Sequence, residues 1–308
     1  MHNHLSGAEP FPVPRPSPLS SEKETEDQST NKAPQSCVIL TYDANVAESS
    51  RLVTVTWNKN LMNYSLTISV ENFSNENPYI CKIDLKGWQF WGRKGIKSFQ
   101  VDGKRVEIYW DFRHAKFTNN PEPSSDYYVA LVYDEEVVLM LGDLKKDAYK
   151  RTKKRPSLIE PILLCKKENV YGKKIFCSKA MLHNEKKEHD IVIEMSSGIG
   201  DPELWISIDS FEVIHVMNLN WRFRGNEKVT MVDDVVVEIF WDVHDWLFNS
   251  SASAAMQGNG LFIFKPGLAG SDSKINPKGD DGIGVRYDSP AERSASEFFH
   301  VIYAWRID

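Results

Sequence analysis

The chain has 308 residues, 43 acidic and 37 basic, and a formal net charge of −6. Apolar residues at 41% and aromatics at 11% suffice for a sizeable core in one or two domains. The acidic sum argues against wholesale coating of nucleic acid, four cysteines exclude a disulfide-stapled mini-protein, and no apolar run approaches the ~18 residues of a membrane-spanning helix.

Residues 1–36 place Pro at 10, 12, 14, 16 and 18 and continue in Ser, Glu, Asp and Asn. Such a stretch buries too little apolar surface to offset its ordering entropy, which predicts a disordered Pro/Ser-rich tail. It has no basic region followed by an apolar one, so it does not read as an export signal. Cys37, Cys81, Cys165 and Cys177 show no Cys-x-x-Cys spacing and no nearby His partner. We therefore expect reduced thiols, no metal, no cofactor, and a cytoplasmic or nuclear location.

A β unit is expected over 37–142. Val106, Ile108 and Trp110 share one strand face and Glu107, Tyr109 and Asp111 the other; Leu66, Ile68 and Val70 alternate with polar residues in the same way. The period is two, not 3.6. Asp102-Gly103 supplies a tight hairpin turn. Residues 143–174 read as a basic connector with a short helix, capped by Asp143 and ended before Pro156.

The unit then recurs over 175–266. Val53-Thr-Val-Thr-Trp57 aligns with Ile191-Val-Ile-Glu-Met195, and Leu66-Thr-Ile-Ser-Val-Glu-Asn-Phe73 with Leu204-Trp-Ile-Ser-Ile-Asp-Ser-Phe211. Trp88-x-Phe90 resembles Trp221-x-Phe223, and Val106-Glu-Ile-Tyr-Trp-Asp111 resembles Val237-Glu-Ile-Phe-Trp-Asp242. Blocks kept in one order predict an internal duplication. Residues 267–297, rich in Gly, Ser, Asp and Pro, read as a mobile loop before a final strand at 298–308. The expected fold is all-β: two antiparallel sandwich or barrel-like units joined by the helical connector.

Four constellations are candidates for function. Asp111 and Asp242 end equivalent strands; brought within ~5–9 Å they would form an acid/base pair, and otherwise each accepts backbone hydrogen bonds in a turn. His244, between Asp242 and Asp245, has the neighbours of an oriented imidazole but no nucleophile or third ligand. Trp88, Phe90, Trp91 and Trp205 offer flat apolar faces for a sugar ring or an apolar ligand, unless they seal the seam between the units. Residues 145–187 hold 14 Lys and Arg against 4 Asp and Glu. Within them, Lys150, Arg151, Lys153, Lys154 and Arg155 form a patch suited to nuclear import or to an anionic membrane surface, or simply a solvated connector.

Val53-Thr-Val-Thr-Trp57-Asn-Lys-Asn-Leu61, Val101-Asp-Gly-Lys104, Glu122-Pro-Ser-Ser-Asp-Tyr-Tyr-Val-Ala-Leu131 and Leu141-Gly-Asp-Leu-Lys-Lys-Asp-Ala-Tyr-Lys-Arg-Thr152 resemble a plant family filed as domain of unknown function 868. So do Phe240-Trp-Asp-Val-His-Asp-Trp-Leu-Phe248 and Gly260-Leu-Phe-Ile-Phe-Lys-Pro266. The resemblance covers about 37–266 and implies a plant protein with no agreed activity or site residues. No catalytic signature appears, so the leading expectation is a non-catalytic binding or scaffold protein with an unknown protein or small-molecule partner. The alternatives are a tandem lipocalin-like carrier or enzyme for a hydrophobic molecule, and a basic-patch nuclear or membrane adaptor.

Overall fold

The computed structural model describes residues 36–60, 63–74, 77–86, 92–182, 187–196, 200–231, 235–248, 258–267 and 298–307. The tail before 36, the loop 268–297 and the side chains of Trp88, Phe90 and Trp91 lie outside them.

The protein is all-β. β1 (Ser36–Val46), β2 (Ser49–Lys59), β3 (Asn63–Val70) and β4 (Tyr79–Lys86) form an antiparallel meander. A second meander contains β5 (Lys94–Val101), β6 (Lys104–Asp111), β7 (Tyr128–Tyr133) and β8 (Glu136–Gly142). Then come α1 (Lys145–Thr152), the two-residue β9 (Arg155–Pro156) and β10 (Ile162–Gly172). The order of meanders then recurs. β11 (Ile175–Ala180), β12 (His189–Ser196), β13 (Glu203–Ile208) and β14 (Phe211–Val216) make one. β15 (Arg224–Thr230), β16 (Val236–Asp242), β17 (Asn259–Gly267) and β18 (Phe299–Arg306) make the other, with α2 (His244–Phe248) after β16.

β10 lies inside the stretch expected as connector, and it joins the halves. It pairs antiparallel with β1 and parallel with β18, giving a nine-stranded sheet in the order β15-β16-β17-β18-β10-β1-β2-β3-β4. A five-stranded sheet, β5 to β9, and a four-stranded sheet, β11 to β14, complete the architecture. No sheet closes on itself among the described residues, so the barrel-like alternative is not what forms; the meanders are open.

Alternation decides the cores. Val53, Val55 and Trp57 of β2 are fully buried, as are Val106 and Ile108 of β6, and they meet in one cluster built from the first two meanders. Ile191, Ile193, Leu204, Ile206, Val237, Ile239, Phe262 and Phe264 do the same for the second pair. β7 is apolar on both faces because α1 covers its outer side, where Tyr128, Ala130 and Val132 pack with Ala148. No helix among the described residues is long and apolar enough to cross a membrane.

One detail recurs in both halves. Trp110 and Trp241 are buried, and their indole N–H groups donate to the carbonyls of Gly92 (2.9 Å) and Arg222 (3.0 Å). Each ring lies flat against a neighbouring-strand glycine. A Cβ on Gly95 would sit 2.2 Å from Cζ2 of Trp110, and one on Gly225 2.3 Å from Cζ2 of Trp241. In a strand interior Gly→Ala ordinarily gains ~0.5–1 kcal/mol. Here the sign reverses, because the hydrogen-bonded indole has nowhere to go. Gly95→Ala and Gly225→Ala are each expected to cost about 1–3 kcal/mol in urea denaturation.

Candidate functional site

The two aspartates each close a turn. Asp111 Oδ1 accepts the backbone N–H of Arg113 (3.2 Å), and Asp242 Oδ1 accepts that of His244 (3.1 Å). Each is also held by its own cations. Asp111 receives Arg113 Nε at 2.9 Å and has Lys94 Nζ at 3.2 Å; Asp242 receives Arg224 Nε at 2.7 Å. Burial pushes the Asp111 carboxyl up, but the Arg113 side-chain and backbone donors and Lys94 outweigh it and hold the group below the usual range. The two aspartates end strands of different sheets and share none of these partners. Each carboxylate is thus the acceptor of its own turn.

His244 opens α2, half-exposed, with Nδ1 3.2 Å from Asp245 Oδ1. Its ring belongs to an aromatic ledge. The centroid of Phe223 lies 5.4 Å from His244 and 5.6 Å from Phe248, and His244 and Phe248 are 5.1 Å apart. Arg224 lies 5.5 Å over Phe223. Trp221, two residues before Phe223 in chain order, is 88% exposed. An indole this bare offers a large flat apolar face with a polar N–H to whatever meets it. Sequence reasoning passed over Trp221 although Trp221-x-Phe223 resembles Trp88-x-Phe90. The available signal was its place in a polar turn, Asn218 to Arg222, with no alternating strand to bury it.

Trp205 is half-buried on the outer face of β13, stacked on His215 at 4.9 Å and 15°. His215 Nε2 in turn lies 2.6 Å from Glu203 Oε2. The indole therefore covers a cross-strand imidazole rather than the seam between the halves.

The basic patch is largely committed. Arg151 turns inward and donates to the carbonyls of Trp110 (2.9 Å) and Gly95 (3.0 Å) and to Tyr128 Oη (3.2 Å), fastening α1 to the sheet. Lys154 pairs with Glu135 at 2.5 Å and Arg155 with Glu136 at 2.8 Å. Lys153 ends α1 in the left-handed conformation, and Lys150 and Lys153 are exposed. Three of the five residues of the expected patch are thus held within the protein.

A buried polar node appears that the sequence did not announce. Glu168 of β10 accepts from Ser178 of β11 and lies 2.7 Å from Nε2 of His300 in β18. Lys166 Nζ is 3.7 Å from the same carboxylate and donates to Lys179 O at 2.5 Å. Burial drives His300 below its ordinary pKa of 6.5, against the pull of Glu168. Burial also pushes Glu168 upward, but the hydrogen bond from His300 and the Lys166 charge outweigh it and keep the carboxylate ionised. Ser, His and Glu are the residue types of a hydrolytic triad, but the geometry is not one. Ser178 Oγ lies 3.3 Å from the same Nε2 that meets Glu168, whereas a proton relay needs the two on opposite ring nitrogens. Among the described residues no group of His, Cys, Asp or Glu is arranged to hold a metal.

The model of a plant protein family of unknown function (DUF868) matches residues 33–306. The chain belongs to that family. The match runs past 266 and takes in β18, which the resemblance in the sequence left outside. No curated protein and no solved structure matches the chain. Family membership therefore assigns a plant origin to the fold and no chemistry to the ledge or the node.

Proposed function

We propose that this protein is a non-catalytic binding module whose ligand stacks on the aromatic ledge of Trp221, Phe223, His244 and Phe248. The observation that carries the reading is the 88% exposure of Trp221, two residues before Phe223 in the chain, whose ring contacts those of His244 and Phe248. A flat face that loses little entropy on binding suits a planar or ring-shaped ligand. The ledge is rimmed by Arg222, Arg224, Asp242 and Asp245, in which cations and anions balance. That mixture favours a neutral, hydroxyl-rich partner such as a sugar ring over a polyanion. The recurring Trp–Gly cradles support a second element of the proposal, that the two halves descend from one duplicated unit. The free thiols of Cys37, Cys81, Cys165 and Cys177 fit the proposed cytoplasmic or nuclear location.

The test uses an array of immobilised plant oligosaccharides probed with the full chain and with Trp221→Ala. We expect signal on a subset of glycans, weakened about fivefold by the substitution, since one ring stack contributes ~1 kcal/mol. Signal that is absent, or equal for both proteins, overturns the assignment.

A further inference from the structure

The basic run Lys150 to Arg155 leads directly into Pro156 and Ser157. Ser157 is the only Ser or Thr of the chain with basic residues both two and three positions before it, Arg155 and Lys154. The residues around it face solvent: Arg155 and Pro156 are exposed, Leu158 is 83% exposed and Ile159 58%. Thr152 also follows a basic pair, Lys150 and Arg151, but it is buried, and Arg151 turns into the sheet.

The hold on this segment is slight. β9 is two residues long, at the edge of the five-stranded sheet. The segment meets β8 through two backbone bonds, Arg155 N–H to Glu135 O (3.1 Å) and Ser157 N–H to Val137 O (3.2 Å). One carboxylate clasps it from β8. Glu136 Oε1 accepts from Arg155 at 2.8 Å, and Glu136 Oε2 accepts from Ser157 Oγ at 3.0 Å. The Arg155 side chain is mostly in water, so its ion pair contributes little. An edge held by so few bonds opens locally while the rest of the sheet stays closed.

We infer that Ser157 is a phosphorylation site for a Ser/Thr kinase that reads basic residues two and three positions before the acceptor, and that the modification releases β9 from β8. Lys154 and Arg155 are the cations read, by carboxylates that line the cleft of such a kinase. In the transfer the bond from Pγ of ATP to its bridging oxygen breaks and the bond from Pγ to Ser157 Oγ forms. ADP leaves, and the hydroxyl proton passes to the catalytic carboxylate of the kinase. The side chain then carries a charge of about −1.5 to −2 and only acceptor oxygens. Glu136 loses the donor at its Oε2 and faces a second anion instead. Arg155 exchanges Glu136 for the phosphate, whose three oxygens suit a guanidinium fork. The clasp becomes a repulsion, and the two backbone bonds of β9 do not withstand it.

The test incubates the full chain with ATP and the catalytic subunit of cAMP-dependent protein kinase, a probe of this specificity, and maps the product by mass spectrometry. We expect Ser157 to be the first residue modified, and that site to be lost in Ser157→Ala. Lys154→Gln with Arg155→Gln should lower kcat/KM about tenfold or more while circular dichroism stays unchanged; if the double variant disturbs the fold, Arg155→Gln alone decides. Hydrogen exchange reads the release. The amides of Arg155 and Ser157 should exchange about tenfold or more faster in the phosphorylated protein than in Ser157→Ala, which removes the hydroxyl without adding charge. Ser157 left unmodified, modification indifferent to Lys154 and Arg155, or exchange unchanged by the phosphate each overturns the inference. The glycan test of the ledge is separate, because it reads Trp221 and not β9.

Discussion

Trp57→Ala is expected to lower the unfolding free energy by about 3–5 kcal/mol, the range for deleting a fully buried large aromatic. Trp57 is completely buried at the centre of the first core. Phe112 and Tyr127 each stand edge-on to it at 5.9 Å and are themselves stacked at 5.8 Å and 17°. Both rings come from the segment that flanks the β6–β7 connection, so the indole fixes that segment to the β2 face. The hydrogen bond of Tyr127 Oη to Glu122 Oε1, 2.8 Å, depends on the same anchor. The buried indole N–H of Trp57 has no acceptor among the described residues. Trp57→Phe removes that orphan donor while keeping a ring, and should cost less than about 1.5 kcal/mol. Urea unfolding with an unchanged slope measures both. Equal losses for Ala and Phe would mean that the ring packing is not what holds the segment.

Much of the scaffold was legible because its causes are local. The alternation of Val53, Val55 and Trp57, or of Val237, Ile239 and Trp241, is a property of consecutive residues, and each set is buried. Asp102 and Gly103 both adopt positive φ, as their hairpin turn requires. The expected helix forms from Lys145 to Thr152, but Asp143 does not cap it: Leu144 stands at the N-cap without a side-chain cap, and Asp143 Oδ1 instead accepts the N–H of Tyr127. What escaped was non-local. Ile162-Leu-Leu-Cys-Lys-Lys-Glu-Asn-Val170 shifts from an apolar run to a charged one without alternating, so β10 read as connector. It is a central strand all the same, because its charge at Glu168 is answered from 132 residues away by His300. Arg151 looked like one member of a basic run for the same reason: the carbonyls of Gly95 and Trp110 that it serves come together only in the folded sheet. The ledge was half legible. Trp221-x-Phe223 resembles Trp88-x-Phe90, but nothing in that spacing distinguishes an indole that caps a core from one left bare.

The Glu168–His300 node is where the second core closes onto the joining strand, and we expect it to make the fold sensitive to mild acid. His300 is fully buried, with Glu168 and Lys166 on β10, Ser178 on β11 and the apolar ring of Phe264 on β17 around it. Its folded pKa lies below 6.5, so the unfolded chain takes a proton that the folded one refuses. Stability on this account is whole above pH 6.5 and falls as the pH drops, by up to about 1.4 kcal/mol per pH unit until the folded pKa is reached. Glu168, held below 4.5, adds a loss of the same sign that begins only under that value. Within this node the interval between the two belongs to His300; elsewhere Glu122, pushed above 4.5 by burial, acts there with the opposite sign in both proteins and cancels in their comparison. A glutamine there can still donate an N–H to Glu168 but cannot be protonated, so His300→Gln should flatten the urea midpoint between about pH 6.5 and 4.5. Parallel curves for the two proteins would remove His300 from the account. Glu168→Ala is the harsher change. It leaves Lys166 and His300 without the carboxylate they converge on, and breaking a buried charged network from one side costs about 3–5 kcal/mol at neutral pH. Because β10 is the strand that both halves share, that loss should appear as one cooperative transition and not as the melting of the second half alone.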